Sequence, residues 1–148
     1  MTPHVRLQAL LSALVPRRSG MRKMGVFTQP LELAARLEGP YRRFEAVVDS
    51  RAFYTQLPAS VLRELGVEPF DTAAFQLADG RVVHSELGNV LARIGDRTRQ
   101  TICVFAEEGT PAILGAYTLE AFLLGVDPVN KRLIPVVGTR LRSGALSP

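Results

Sequence analysis

The sequence predicts a mainly β domain with one or two short helices. Three observations lead to this class: short segments rich in β-branched and aromatic residues, turn signals between these segments, and only two places with helical features. Strand and helix patterns do not alternate along the chain, so a parallel α/β architecture is not expected. With 148 residues, of which 47% are hydrophobic, the chain is long enough for one domain with a real core.

The first half of the chain predicts a hairpin followed by a short helix. The segment VFTQPLELAA predicts the first strand, EGP at positions 38–40 predicts a turn, and RRFEAVVD, which ends at Asp49, predicts the second strand. In LPASVLRELG, Pro58 near the start, apolar residues on one face and Gly66 at the end predict a helix of about two turns.

The second half predicts two further hairpins with a strand and a helix between them. Asp-Gly within ADG at 78–80 is a strong hairpin signal, because both positions tolerate positive φ. GDR at 95–97 turns the chain into TRQTICVFA, which has the composition of a buried strand. After the loop EEGTP we expect an apolar strand reaching Gly115, a short helix from about Thr118 to Leu124, and a final hairpin through DPVNK.

The positive charge of the chain lies at its two ends. The net charge is +4, yet residues 1–23 contain five basic residues and no acid, and the segment after Val137 adds Arg140 and Arg142. Removing these 7 basic residues from 18 leaves 11 against 14 acids, so residues 24–137 carry about −3. Because a nucleic-acid-binding domain usually concentrates basic residues on its folded surface, we expect no nucleic-acid partner.

The cysteine and histidine residues indicate the redox state of the compartment and whether a metal cofactor is expected. Cys103, the single cysteine, lies in a predicted buried strand and cannot form an internal disulfide, which favours a structural thiol in a reducing, cytoplasmic compartment. His4 and His84 have no Cys or His partner at ligand spacing, so we expect no metal site and no cofactor. The longest apolar runs are far shorter than a membrane span, so no membrane partner is expected.

The chain divides into three predicted regions. Residues 1–23 form a basic N-terminal extension, either a disordered arm or a start-codon artefact, with Met21 and Met24 as alternative starts. Residues 24–137 form the predicted domain, and residues 138–148 form a C-terminal tail.

Two segments carry more specific information than a generic β domain would. The first is VVDSRA, in which an apolar pair precedes Asp49, a hydroxyl residue and, two places on, a small residue. The second is AILG at 112–115, in which an apolar pair precedes a glycine. In this order, with a predicted helix and hairpin between them, these segments resemble the retropepsin-like aspartic peptidases. This family comprises the retroviral proteases and small single-domain bacterial and archaeal relatives.

The resemblance spans roughly Met24 to Val137 and implies both a fold and a site. The implied fold is a closed or partly open β-barrel of the acid protease type, with a flap hairpin and one or two short helices. The positions that the resemblance assigns are Asp49 as the catalytic acid; Ser50, Arg51 and Ala52 in the active-site loop; Ala78, Asp79 and Gly80 in the flap; and Ile113, Leu114 and Gly115 in a structural glycine motif.

The same resemblance implies an endopeptidase that acts as a homodimer on a peptide or protein substrate, without a cofactor. Each chain supplies one Asp49, and the two carboxylates share a proton around a water molecule. One carboxylate acts as general base on the water while the other donates to the peptide carbonyl. The hydroxyl of Ser50 is expected to form a hydrogen bond across the dimer.

Arg51 departs from the family pattern, which has glycine at this position. Its side chain could fill the cleft, and a permanent cation beside Asp49 would disfavour the shared proton. Alternatively, the side chain could turn into solvent or toward an acid such as Glu108 and leave the site functional. Two hypotheses therefore stand: an active aspartic endopeptidase, and a catalytically impaired module that binds peptides or protein partners. A third interpretation of Asp49 is a turn-opening residue whose carboxylate accepts local backbone N–H groups.

Overall fold

The computed structural model describes residues 26–143 and confirms the mainly β class. The strands are β1 (Thr28–Ala34), β2 (Arg42–Val48), β3 (Thr55–Pro58), β4 (Pro69–Gln76), β5 (Val82–Ile94), β6 (Arg97–Ala106), β7 (Ile113–Leu114), β8 (Leu124–Asp127) and β9 (Arg132–Pro135). The helices are α1 (Ala59–Glu64) and α2 (Ala116–Ala121). The predictions for residues 1–23 and for Met24 as a start lie outside the described residues.

Seven of the strands form one sheet that closes into a ring. Their order is β1-β2-β7-β3-β6-β5-β4, and β1 also pairs with β5, for example through Glu32 and Arg93. The long strand β5 thus pairs with β4, β6 and β1. Apolar side chains fill the ring, including Leu31, Leu33, Val90, Phe105, Leu114 and Phe122. Strands β8 and β9 form a separate two-stranded sheet.

The predicted hairpins all form. β1 and β2 pair antiparallel around the turn at 38–40, β4 and β5 pair around the ADG turn, and β8 and β9 pair around DPVNK. The predicted helix after Pro58 also forms, with Pro58 as its N-cap and Gly66 in a left-handed conformation (φ 90°) just beyond its end.

The second helix and one strand differ from the prediction. Helix α2 begins at Ala116 and not at Thr118, because Gly115 is extended and the chain turns helical directly after it. The helix ends before Leu124, because Leu123 has a positive φ of 54°. Strand β3 was not predicted, since its four residues form a strand only through pairing with distant parts of the chain.

The parallel pairings position the segment that contains Asp49. Strand β7 lies between β2, to which it is parallel, and β3, to which it is antiparallel. The loop formed by residues 49–54 connects β2 to β3 and must therefore pass around the end of β7. The two segments singled out in the sequence are neighbours for this reason.

Cys103 lies in the core of the ring and is fully buried. Burial raises the pKa of its thiol to about 12, so the thiol stays protonated and behaves as a small apolar side chain. Within residues 26–143, no helix has the length and apolar character needed to cross a membrane.

Candidate active site

Asp49 follows directly after β2, at the start of the 49–54 loop. Its backbone N–H donates to the carbonyl of Leu114 at 3.1 Å, and its own carbonyl accepts from the N–H of Ala52 at 3.1 Å. The Asp49 side chain is 12% exposed. The carboxylate is therefore held at the surface of the ring by backbone hydrogen bonds on both sides.

Gly115 allows the two segments to approach each other at backbone distance. The N–H of Ala116 donates to the carbonyl of Ala52 at 2.8 Å. A Cβ added at Gly115 would lie 2.5 Å from the carbonyl oxygen of Tyr54, well inside van der Waals contact. Since backbone atoms cannot move aside cheaply, only glycine fits at this crossing. Its role in the glycine motif stays a prediction, and the geometry gives it a packing function.

A buried chain of threonine hydroxyls anchors the end of the Asp49 loop. Thr55 accepts a hydrogen bond from the N–H of Gly115 at 3.1 Å, and its hydroxyl lies 2.7 Å from that of Thr118. Thr118 in turn lies 2.8 Å from the hydroxyl of Thr101. Sequence reasoning missed these residues, although a threonine within an otherwise apolar segment is the signal that could have indicated them.

Two of the expected orientations of Arg51 are not observed. Its side chain points neither to solvent nor to Glu108. Its side chain is fully buried, and its Nε donates to Oδ1 of Asp49 at 3.1 Å. Its backbone N–H donates to the same oxygen at 3.0 Å. Glu108 instead accepts a hydrogen bond from the N–H of Ser60 at 3.1 Å. Arg51 is also absent from the residues that line the cleft, so its side chain packs beneath the site and does not fill it.

Within residues 26–143, the buried guanidinium of Arg51 has one counter-charge in contact, the carboxylate of Asp49. Burial lowers the pKa of Arg51 to about 10, an effect that the charge of Asp49 opposes, and the group remains a cation at neutral pH. Its Nη1 and Nη2 atoms are buried and have no hydrogen-bond partner in the described part of the chain. These two nitrogens carry a desolvation cost.

A cleft of about 200 Å³ lies between the Asp49 loop and the hairpin of β4 and β5. Its walls are largely apolar and aromatic. They include Phe53, Tyr54, Phe75, Leu77 and Val83, with the carboxylates of Asp49 and Glu107 as the acidic groups. Such a shape, apolar with few polar groups, is typical of ligand sites.

The predicted flap residues form the turn of this hairpin. Gly80 has a φ of 89°, and its N–H donates to the carbonyl of Leu77 at 2.9 Å. Hydrogen bonds from the backbone and side chain of Arg81 lower the pKa of Asp79. Of the predicted residues, Ala78 lines the cleft, while Asp79 and Gly80 lie at the exposed tip.

Two other predicted features concern Ser50 and metal binding. Ser50, beside Asp49, is exposed in the single chain. Among residues 26–143 there is no group of three or more His, Cys, Asp or Glu side chains arranged to hold a metal ion.

No protein-family model and no curated protein matches this sequence. The structure is similar to the solution structure of the Simian foamy virus (mac) protease, with a TM-score of 0.44 and 17% identity, covering 62% of this chain and 92% of that one. It is also similar to the crystal structure of a retropepsin-like aspartic protease from Rickettsia conorii, with a TM-score of 0.45 and 16% identity, covering 76% of this chain and 90% of that one. Both are similarities of fold.

Proposed function

We propose that this chain is a retropepsin-like aspartic endopeptidase that acts as a cytoplasmic homodimer on peptide or protein substrates. The observation that carries the proposal is the position of Asp49: its partly exposed carboxylate lines a largely apolar cleft beneath a hairpin. A peptide in extended conformation suits a cleft between a hairpin and a floor, because apolar walls bind its side chains while a carboxylate contacts its backbone.

One chain supplies one carboxylate, so the chemistry needs a second copy. In a two-fold dimer the two Asp49 side chains would face each other across the axis and share one proton. The ionised carboxylate takes a proton from water, and the resulting oxygen nucleophile attacks the peptide carbonyl carbon. The protonated carboxylate donates to the carbonyl oxygen, and proton transfer to the amide nitrogen then releases the amine product.

Arg51 leaves one oxygen of Asp49 open and holds the other in an ion pair. Both hydrogen bonds from Arg51 reach Oδ1 of Asp49, so Oδ2 receives neither of them and remains available for water or for the second carboxylate. The buried guanidinium nevertheless places a positive charge against the carboxylate, which a glycine at this position would not do. This ion pair supports a second candidate function, a module that binds extended peptides without cleaving them.

A comparison of four proteins tests the proposal: the unchanged chain, Asp49→Asn, Arg51→Gly and the double variant. Each is incubated with a mixed peptide library between about pH 3 and pH 8, and cleavage is followed by mass spectrometry. We expect the unchanged chain to cleave, Asp49→Asn to be at least about 100-fold slower because it lacks the general base, and Arg51→Gly to be faster. The double variant controls for contaminating peptidases and must be inactive.

Equal cleavage by the unchanged chain and Asp49→Asn would reject the peptidase. Peptide binding without turnover, with cleavage gained in Arg51→Gly, would identify the second candidate as correct. Because Asp49→Asn leaves a buried cation unpaired, circular dichroism must first establish that each variant is folded.

A further inference from the structure

Glu107 is an exposed acidic residue of the cleft lining. It follows β6, and its carbonyl accepts a hydrogen bond from the N–H of Thr110 at 3.2 Å, which fixes the backbone of this turn. Its carboxylate forms no hydrogen bond or ion pair with any other of residues 26–143. The neighbouring Glu108 is bound to Ser60 on helix α1 and does not line the cleft. Two adjacent carboxylates thus face different surroundings.

Among residues 26–143, no neighbouring side chain pairs with the charge of Glu107. Asp49 and Glu107 are the charged residues of the described cleft lining, and none of the described lining residues is basic. Arg51 neutralises Asp49 from beneath the floor. At the tip of the hairpin, Arg81 pairs with Asp79 at 2.7 Å. A ligand in the cleft therefore meets a net negative field from Glu107.

Three aromatic residues line the same cleft. The ring of Tyr54 packs against Phe53 with centroids 4.7 Å apart and against Phe75 with centroids 6.1 Å apart, in both cases edge to face. All three residues line the cleft. Aromatic faces attract cations, and apolar surface accommodates the aliphatic stem of a lysine or arginine whose charged end remains near water.

We propose that Glu107 and the aromatic wall form a subsite for a cationic side chain, lysine or arginine, within an otherwise apolar peptide. This proposal rests on the proposed function, whether the bound peptide is cleaved or only held. Its basis is charge complementarity: Glu107, which no side chain of residues 26–143 pairs with, shares a cleft of about 200 Å³ with three aromatic rings, and these described residues place no cation in its lining.

A lysine scan tests this subsite. The probes are dansyl-labelled ten-residue peptides of alanine and leucine in which one position at a time carries lysine, norleucine or glutamate. Binding is measured by fluorescence anisotropy at low temperature, and mass spectrometry checks that the peptides stay intact. At one position we expect lysine to bind roughly five- to tenfold more tightly than norleucine, with glutamate weakest and the preference reduced by added salt.

The matched variants are Glu107→Gln and Glu108→Gln, which remove the same charge from adjacent positions. Both side chains lie at the surface, so both variants should fold. Glu107→Gln is expected to reduce the lysine preference to within about twofold, and Glu108→Gln to retain it. Binding of the peptides with no lysine preference, or with a preference that survives Glu107→Gln, overturns the subsite alone. Failure of every peptide to bind overturns the proposed function together with it.

Discussion

Asp49 and Arg51 form an ion pair whose two members are buried to different extents. The carboxylate keeps 12% of its side chain exposed and also accepts the backbone N–H of residue 51. The guanidinium is fully buried, and the one hydrogen bond that it forms within residues 26–143 is donated by Nε to Asp49. Replacing Arg51 should therefore change the free energy of unfolding differently from replacing Asp49.

We predict that Arg51→Met stabilises the fold by about 1 to 3 kcal/mol, because it removes two buried donors without partners while Asp49 retains a backbone hydrogen bond. We predict that Asp49→Asn destabilises the fold by about 3 kcal/mol, because it leaves a buried cation without a counter-charge. Urea unfolding measures both free energies. Arg81→Met, which breaks an exposed pair, is the control and should change stability by under about 1 kcal/mol. Equal changes in the free energy of unfolding for Arg51→Met and Asp49→Asn would contradict this predicted difference.

The sequence indicated which residue at this site is unusual, but not where it points. The order of motifs identified Asp49 and made Arg51 conspicuous. The burial of Arg51 depends on its side-chain rotamer and on the packing of several strands, neither of which a local pattern contains. The carboxylate of Asp49 accepts a hydrogen bond from the backbone N–H of Arg51, as the turn interpretation expected. Asp49 also lines the cleft.

The Asp49 loop and the Gly115 segment are two elements that act as one unit. They are joined by hydrogen bonds from Asp49 to Leu114 and from Ala116 to Ala52. The crossing depends on the absence of a side chain at Gly115. Any change that widens this crossing should displace the carboxylate, and with it the floor of the cleft.

We predict that Gly115→Ala destabilises the protein by about 3 kcal/mol or more, because the added Cβ would lie 2.5 Å and 2.8 Å from two backbone carbonyl oxygens. The control is Gly109→Ala, whose Cβ meets no atom within 4 Å and which suffers only from its φ of +90°. That strain should cost about 1 to 2 kcal/mol. Urea unfolding compares the two variants, and equal losses would indicate that the crossing tolerates a side chain.

At the level of elements, sequence patterns correctly predicted the turns and helix ends that depend on neighbouring residues alone. The ADG turn and the proline and glycine around α1 have chemistry that acts within a few residues, and these elements form as expected. Strand β3 is short, and it exists through pairing with β6 and β7. No pattern within β3 could have indicated its parallel partner.

At the level of the whole molecule, one long-range pairing closes the sheet into a ring. The pairing of β1 with β5 joins parts of the chain that are distant in sequence, for example at Glu32 and Arg93. The sequence predicted the β class from composition and turns, whereas this pairing depends on the packing of the entire core. The location of positive charge at the chain ends likewise agrees with a cleft whose described lining residues include two acids and no basic residue.

In the proposed peptidase, one chain supplies half of the active site and two chains complete it. The most direct test measures the peptide-cleavage rate per chain across a dilution series, with sedimentation velocity at each concentration. We predict that the rate falls in proportion to the fraction of dimer, because a monomer has only one Asp49 carboxylate. A rate per chain that is unchanged once the chain is monomeric, or no cleavage where it is fully dimeric, would contradict the account.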